Sequence, residues 1–218
     1  MPILMSLVCL PTLLAGQPTY FAGGLGGIST LSADGQSSIT STSIDASLYK
    51  PENGATFQIV GGCHLNDYLS IQVNYGWNLN SLTLTSSQPS AGENVFYQQM
   101  RSATQHSVLG ELMLYFRDLK SRARPYLSVG TGVVRLVSNE ESVEQTLGDP
   151  TLAPMEFNST NPALRIAVGI DLAVKNGWAF RFTFSETLQS NTISANLDPP
   201  GQRNLAHFQN LFGFVKYF

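Results

Sequence analysis

The stretch ALRIAVGIDLAVKNGWAFRFTFS, residues 163–185, decides the fold of this chain because apolar residues occupy every second position along it. The even positions carry Leu, Ile and Val before Lys175-Asn176-Gly177, and Trp and Phe after it. The odd positions carry Ala, Gly, Thr and Ser, interrupted by three charges: Arg165, Asp171 and Arg181. A period of two indicates β-strands with one apolar face. The stretch therefore predicts a β-hairpin.

The apolar face also predicts the register of this hairpin. Val174 and Trp178 both belong to the apolar face, and so do the other even-numbered residues of both strands. Directly opposed residues of a hairpin point to the same face, so the numbers of each opposed pair must add up to an even number. A two-residue turn would break that rule and turn one strand over. The turn is therefore predicted to hold three residues, with Gly177 in the left-handed conformation. This register places Asp171 opposite Arg181 and predicts a buried salt bridge between them.

The same alternation recurs along the rest of the chain. It predicts six further strands, near 19–31, 55–65, 68–78, 106–116, 125–136 and 206–218. With the two strands of the hairpin, 163–174 and 178–185, the predicted total is eight. The first is rich in glycine and its parity is ambiguous, so a bulge is predicted there. Short turns near 66–67, 117–124 and 175–177 alternate with four long polar connections. All four long connections therefore lie at one end of the strands, and the short turns lie at the other end. This arrangement predicts an all-β, eight-stranded, antiparallel up-and-down transmembrane barrel.

The composition of the polar face indicates what surrounds the barrel. A water-soluble barrel would expose Lys and Glu on that face, yet charged residues make up only 12% of the chain, against about 25% in ordinary domains. Small polar residues suit the narrow interior of an eight-stranded barrel. Trp77, Trp178 and several phenylalanines lie near strand ends on the apolar face, as interfacial girdles do. We therefore expect the apolar face to contact lipid.

The stretch QNLFGFVKYF, residues 209–218, carries the resemblance to a known family. Its aromatic residues Phe212, Phe214 and Phe218 share one parity with Phe208. This segment resembles the C-terminal assembly signal of bacterial outer-membrane barrels. From about residue 19 onward the chain is similar to the small eight-stranded family that includes the transmembrane part of outer membrane protein A. Nothing follows the last strand, so the peptidoglycan-binding domain of some relatives is not expected.

That resemblance implies a location and partners. The expected location is the cell outer membrane, where the chain would be a monomer contacting outer-membrane lipid and lipopolysaccharide. The barrel-assembly machinery would recognise Phe212, Phe214 and Phe218. No cofactor is expected. A formal net charge of −3, with basic residues concentrated only in 117–124, gives no support for nucleic-acid binding.

The first residues predict a leader. An apolar run from Ile3 to Leu14 is followed by small residues and is too short to cross a bilayer. We expect a signal peptide over 1–16 and a barrel domain over 17–218, although no Lys or Arg precedes the run; a buried helix is the alternative. Cys9 lies in this leader, which leaves only Cys63 and excludes an internal disulfide.

Four charged residues point into the predicted barrel: Glu111, Arg165, Asp171 and Arg181. In so narrow an interior they must be paired or hydrogen-bonded. We predict an interior charge network that plugs the barrel, with Glu111 sharing the Asp171–Arg181 bridge from across the interior. A gated ion path through a breakable salt bridge is the alternative.

Candidates for catalysis and metal binding are weak. Some small outer-membrane barrels deacylate lipopolysaccharide with a Ser/His/acid set, and His106-Ser107 with Glu111 raises this possibility. Adjacent residues of a strand face opposite ways, however, so His106 and Ser107 cannot pair. We interpret His64 and His207 as interior polar residues and expect no metal site. The expected function is a non-catalytic structural or surface-interaction role with long polar external loops, 138–161 being acidic; a lipid-modifying enzyme and a narrow channel are the alternatives.

Overall fold

A computed structural model describes residues 19–39, 44–90, 93–147, 156–195, 197 and 204–218. The predicted leader, 1–16, and the acidic side chains between 140 and 156 lie outside the described residues. The strands are β1 Tyr20–Leu31, β2 Asp34–Ile39, β3 Ile44–Pro51, β4 Gly54–His64, β5 Leu69–Ser90, β6 Glu93–Tyr115, β7 Ala123–Leu147, β8 Glu156–Ala173, β9 Trp178–Ser190 and β10 Asn204–Tyr217. A short helix, α1, spans Thr192–Ala195, and no helix within the described ranges has the length and apolar character to cross a membrane.

Eight of these strands close into a barrel. The order around the ring is β1, β4, β5, β6, β7, β8, β9, β10 and back to β1. Each strand pairs antiparallel with both of its neighbours in this order. The remaining strands, β2 and β3, form a hairpin that attaches to β5 above the ring. The predicted eight-stranded up-and-down barrel is therefore confirmed, with the predicted short turns at one end and the four segments predicted as long connections at the other.

The strands at the long-connection end are much longer than predicted. β5, β6 and β7 contain 22, 23 and 25 residues, so most of the segments predicted as loops at 79–105 and 137–162 are strand. The cause is a reversal of pattern within β5. Up to Leu79 the outward side chains are apolar, whereas above it Ser81 and Thr83 face outward while Leu82 and Leu84 are buried.

The predicted bulge in β1 is absent. β1 keeps continuous register with both β10 and β4, and its odd positions point inward throughout. The inward glycines permit close approach of the next strand, since a Cβ on Gly27 would collide with the backbone carbonyl of Asn210. Register shifts occur instead between β6 and β7, at Gln98/Gln99 and Met100/Arg101.

The hairpin of β8 and β9 has the predicted register. Asp171 opposes Arg181, and the Val174 amide donates to the Trp178 carbonyl at 2.8 Å. Gly177 is left-handed, with φ of 74°, as predicted. Asn176 is left-handed as well, with φ of 55°, which the sequence did not indicate. Asn is one of the few residues with a side chain that tolerates this conformation.

The two faces of the barrel are as predicted. Outward apolar side chains remain about half exposed, for example Ile166 at 50% and Phe212 at 55%. The polar odd-numbered residues of β8 and β9 from Arg165 to Gln189 are buried. The interior also holds apolar clusters that were not predicted. One lies at the short-turn end and includes Phe21, Leu25, Val60, Met113, Tyr115, Tyr126, Leu211 and Val215. Another fills the opposite end and includes Leu31, Tyr49, Leu82, Leu84, Ala103, Leu136, Phe157, Ile193, Leu197 and Leu205.

Candidate functional site

The centre of the lower barrel interior is the predicted ion pair between β8 and β9. Arg181 Nε lies 2.6 Å from Asp171 Oδ1, and its Nη2 donates to Oδ2 at 2.7 Å. Both side chains are almost completely buried. The two parallel N–H···O bonds make the pair bidentate, which is the strongest arrangement of Arg with a carboxylate. The predicted cross-strand salt bridge is confirmed.

Further polar groups form hydrogen bonds with the remaining donors of Arg181 and acceptors of Asp171. Arg181 Nη1 donates to Gln72 Oε1 at 2.6 Å, and Nη2 also contacts the Tyr115 hydroxyl. Asp171 Oδ2 accepts the hydroxyls of Tyr115, at 2.9 Å, and of Tyr217. A buried ion pair is tolerated when its remaining donors and acceptors are satisfied in this way. The pair therefore joins β5, β6, β8, β9 and β10 across the interior.

Glu111 does not share this bridge, contrary to the prediction. It forms a second pair higher in the barrel, with Arg165 Nε 3.1 Å from its Oε1. This contact is an ion pair without hydrogen-bond geometry, because Arg165 Nε makes no hydrogen bond. The two residues lie on β6 and β8, and the residue between them on β7 is Gly130. A Cβ on Gly130 would lie 2.5 Å from Glu111 Cγ, so glycine there leaves room for the pair.

The second pair is also surrounded by amides and hydroxyls. Glu111 accepts hydrogen bonds from Asn74 Nδ2 at 2.7 Å and Ser128 Oγ at 2.9 Å. Arg165 Nη1 donates to Gln209 Oε1 at 3.0 Å. All of these side chains are buried. The four predicted charges thus form two separate buried pairs at different heights of one interior.

Two further arginines enter the barrel that the sequence interpretation did not place there. Arg101 is buried, donates to Gln99 and Ser138, and lies 4.8 Å from the Phe157 ring. Odd-numbered residues of β6 point inward. The sequence would therefore have placed Arg101 in the interior if the predicted strand 106–116 had been extended to residue 101. Arg124 falls in the predicted turn 117–124 together with Arg117, Lys120 and Arg122. Those three are exposed, but Arg124 is buried over the Tyr115 ring.

The end of the interior nearest the long connections is closed by α1. Ile193 of α1 and Tyr49 of β3 pack in the upper apolar cluster. Ser194 Oγ donates to Asp34 at 2.6 Å, and Asn191 Nδ2 donates to the Tyr49 hydroxyl at 3.2 Å. Burial raises the pKa of Tyr49 above its usual value, more than its hydrogen bonds lower it. The helix thus caps the barrel through both apolar and polar contacts.

The histidines take the positions that strand parity predicted. His64 and His207 are buried in the interior, and His64 Nδ1 lies 2.5 Å from Ser70 Oγ. Ser107 faces inward, whereas His106 faces outward and meets the Tyr75 hydroxyl. His106 and Ser107 therefore do not form a catalytic pair, as the alternation required. Within the described residues, no group of three His, Cys, Asp or Glu side chains converges on a metal position.

The proposed assembly residues lie on the outer face at the short-turn end. Phe212, Phe214 and Phe218 are 55%, 53% and 72% exposed. Lys216, between them in the sequence, lies with Nζ 5.7 Å from the Trp178 ring centroid. Their recognition during assembly stays a prediction, although their outward placement leaves them accessible.

Comparisons with known proteins agree with this geometry. The family model of the outer membrane protein beta-barrel domain matches residues 3–204. No curated protein matches the chain. Among solved structures, Neisserial surface protein A aligns with 92% of this chain and 97% of its own, at 15% identity and a TM-score of 0.52. OprG from Pseudomonas aeruginosa aligns with 92% and 95%, at 10% identity and a TM-score of 0.52. At these identities the likeness concerns the fold alone.

Proposed function

Because the chain belongs to the family of outer membrane protein beta-barrel domains, we propose that it is a non-catalytic barrel that displays a rigid β-structure at the bacterial cell surface. The observation that carries this proposal is the continuation of β5, β6 and β7 beyond the apolar outer band. From Ser81 to Ser90 alone, β5 adds ten residues, or roughly 30 Å along the strand. Backbone pairing with β6 continues to the Ser90–Glu93 position.

The closed interior supports display over transport. Two ion pairs fill its polar part, and the upper apolar cluster with α1 fills its surface end. Opening a path would separate buried charges and expose apolar side chains together, and both changes cost free energy. The barrel in this proposal is a monomeric anchor in lipid, assembled through its terminal aromatic residues.

Insertion of an epitope tag tests the orientation that this function requires. A tag at the exposed Glu52-Asn53 connection should be reached by antibody on intact cells, while the same tag at 175–177 should be reached only after permeabilisation. Heat-modifiable migration on a gel provides the folding control for both proteins. Surface access at 175–177 would reverse the orientation and contradict display by the long strands.

Planar-bilayer recording separates the proposal from the channel alternative. The purified barrel should show no discrete conductance steps. Any steps should appear only after Asp171→Asn breaks the lower ion pair. Steady single-channel conductance of the unmodified protein would favour the narrow channel.

A further inference from the structure

One row of outward side chains crosses five neighbouring strands at the upper edge of the apolar band. Backbone register places these residues side by side from β4 to β8: Phe57, Trp77, His106, Arg135 and Thr160. Phe57 and Trp77 are about half exposed, and Arg135 is exposed. The row therefore joins an aromatic surface to a cation on the outside of the barrel.

The imidazole of His106 is held in a fixed orientation. Its Nδ1 lies 2.7 Å from the Tyr75 hydroxyl, and the Trp77 ring stacks on it with planes inclined by 6°. We assign the Tyr75 hydroxyl as the donor to Nδ1, which places the ring proton on Nε2. Within the described part of the chain, Nε2 has no hydrogen-bond partner. With this assignment His106 presents an N–H donor at the outer surface, on the residue that pairs with Arg135 across β6 and β7.

The height of this row is fixed by the residues above and below it. Below it, Val108 and Val133 are half exposed and apolar, as lipid-facing residues are. Above it on β6, the outward residues are Thr104 and Ser102. The row thus lies where the hydrocarbon layer ends and headgroups begin. Among the described side chains, the other cation on the outer face of the eight strands is Lys216, at the opposite rim.

We propose that His106 and Arg135 bind a phosphate group of an anionic glycolipid in the outer leaflet. Arg135 supplies a charge and paired N–H donors that match phosphate geometry, and His106 Nε2 adds a further donor. The rings of Trp77 and Tyr75 pack against the apolar part of the same lipid. The site deepens the proposed function, since it rests on the long strands facing the cell exterior.

Binding of defined lipids to the purified, folded barrel tests this site. Native mass spectrometry would compare diphosphoryl lipid A with the same lipid lacking both phosphates. The variants are Arg135→Gln and His106→Phe, the second of which keeps an aromatic ring but removes the donor. Lys216→Gln is the matched control, because it removes an outward cation at the other rim. Heat-modifiable migration confirms that each variant is folded.

Each site variant should weaken diphosphoryl lipid A binding about tenfold or more, as expected when a charge-assisted hydrogen bond is lost. The control should bind like the unmodified protein, which should itself discriminate against the phosphate-free lipid. Equal binding of the two lipids by the unmodified protein would overturn the proposal, and so would unchanged binding by both variants. Displacement of the lipid by millimolar inorganic phosphate would assign the site to free phosphate instead. Conductance and tag access are measured separately, so failure of this site is distinguishable from failure of the display function.

Discussion

The Asp171–Arg181 pair permits a quantitative test of the barrel register. Removing one partner leaves the other charge buried, at a cost of about 3–5 kcal/mol. The structure indicates which change costs more. After Arg181→Gln, the carboxylate keeps the hydroxyls of Tyr115 and Tyr217, so the loss should be near the lower limit. After Asp171→Asn, the guanidinium has no counter-charge and keeps only neutral acceptors, so the loss should be near the upper limit.

The double variant removes both charges and should therefore cost at least about 2 kcal/mol less than the sum of the single losses, within the usual range for coupled sites. Reversible urea unfolding in lipid vesicles, followed by tryptophan fluorescence, measures all four free energies of unfolding.

The control cycle combines Asp171→Asn with Arg165→Gln. These residues share one face of β8 but are six positions apart, or roughly 20 Å, and they belong to different ion pairs. Their losses should add. Additivity within about 0.5 kcal/mol for the Asp171 and Arg181 changes themselves would refute the contact and the register that produces it.

Three other expectations concern single positions. Gly130→Ala places a Cβ 2.5 Å from a carbonyl oxygen of the facing strand and should destabilise the barrel by about 1–3 kcal/mol, whereas Gly61→Ala, with open space around it, should have little effect in the same unfolding assay. The pKa of Tyr49 is raised in the folded state, so the protonated phenol should add to the free energy of unfolding below about pH 10, and this gain should be lost as pH rises through the folded pKa. The free energy of unfolding of Tyr49→Phe should therefore fall less between pH 8 and pH 11 than that of the unmodified protein. Phe218→Ala should lower the membrane-inserted fraction in cells, measured by heat-modifiable migration. Phe184→Ala, which changes another outward aromatic residue far from the end of β10, should not.

Strand alternation was sufficient to predict the architecture and one ion pair. The apolar residues of β8 and β9 set opposed positions through Val174 and Trp178, and this alone placed Asp171 against Arg181. The argument needed only one hairpin, whose register depends on local sequence. A contact of this kind is accessible from sequence because a shift by one residue would turn every apolar side chain inward.

The partner of Glu111 was not accessible by the same route. Its ion pair with Arg165 spans two strand interfaces, so it depends on the registers of β6 with β7 and of β7 with β8 together. It also depends on the absence of a side chain at Gly130, which a pattern of apolar and polar residues does not reveal. Side-chain parity gave the correct face for all four charges but could not distribute them into pairs.

The reversal within β5 explains both the missed strand lengths and the proposed function. A strand in lipid has its apolar side chains outward, and a strand in water has them inward, although the backbone pairing is the same. Leu79 faces outward and Leu82 inward, so the surroundings of β5 change from lipid to water between them while its pairing with β6 continues. A sequence interpretation that follows one apolar face along β5 ends at Leu79, because the outward residues beyond it are polar. It therefore assigns the upper part of β5 to a loop. The upper part of β5 instead stays paired with β6 down to the lipid-embedded barrel. Its inward Leu82 and Leu84 belong to the upper apolar cluster, to which β1, β3, β6, β7, β8, β10 and α1 also contribute.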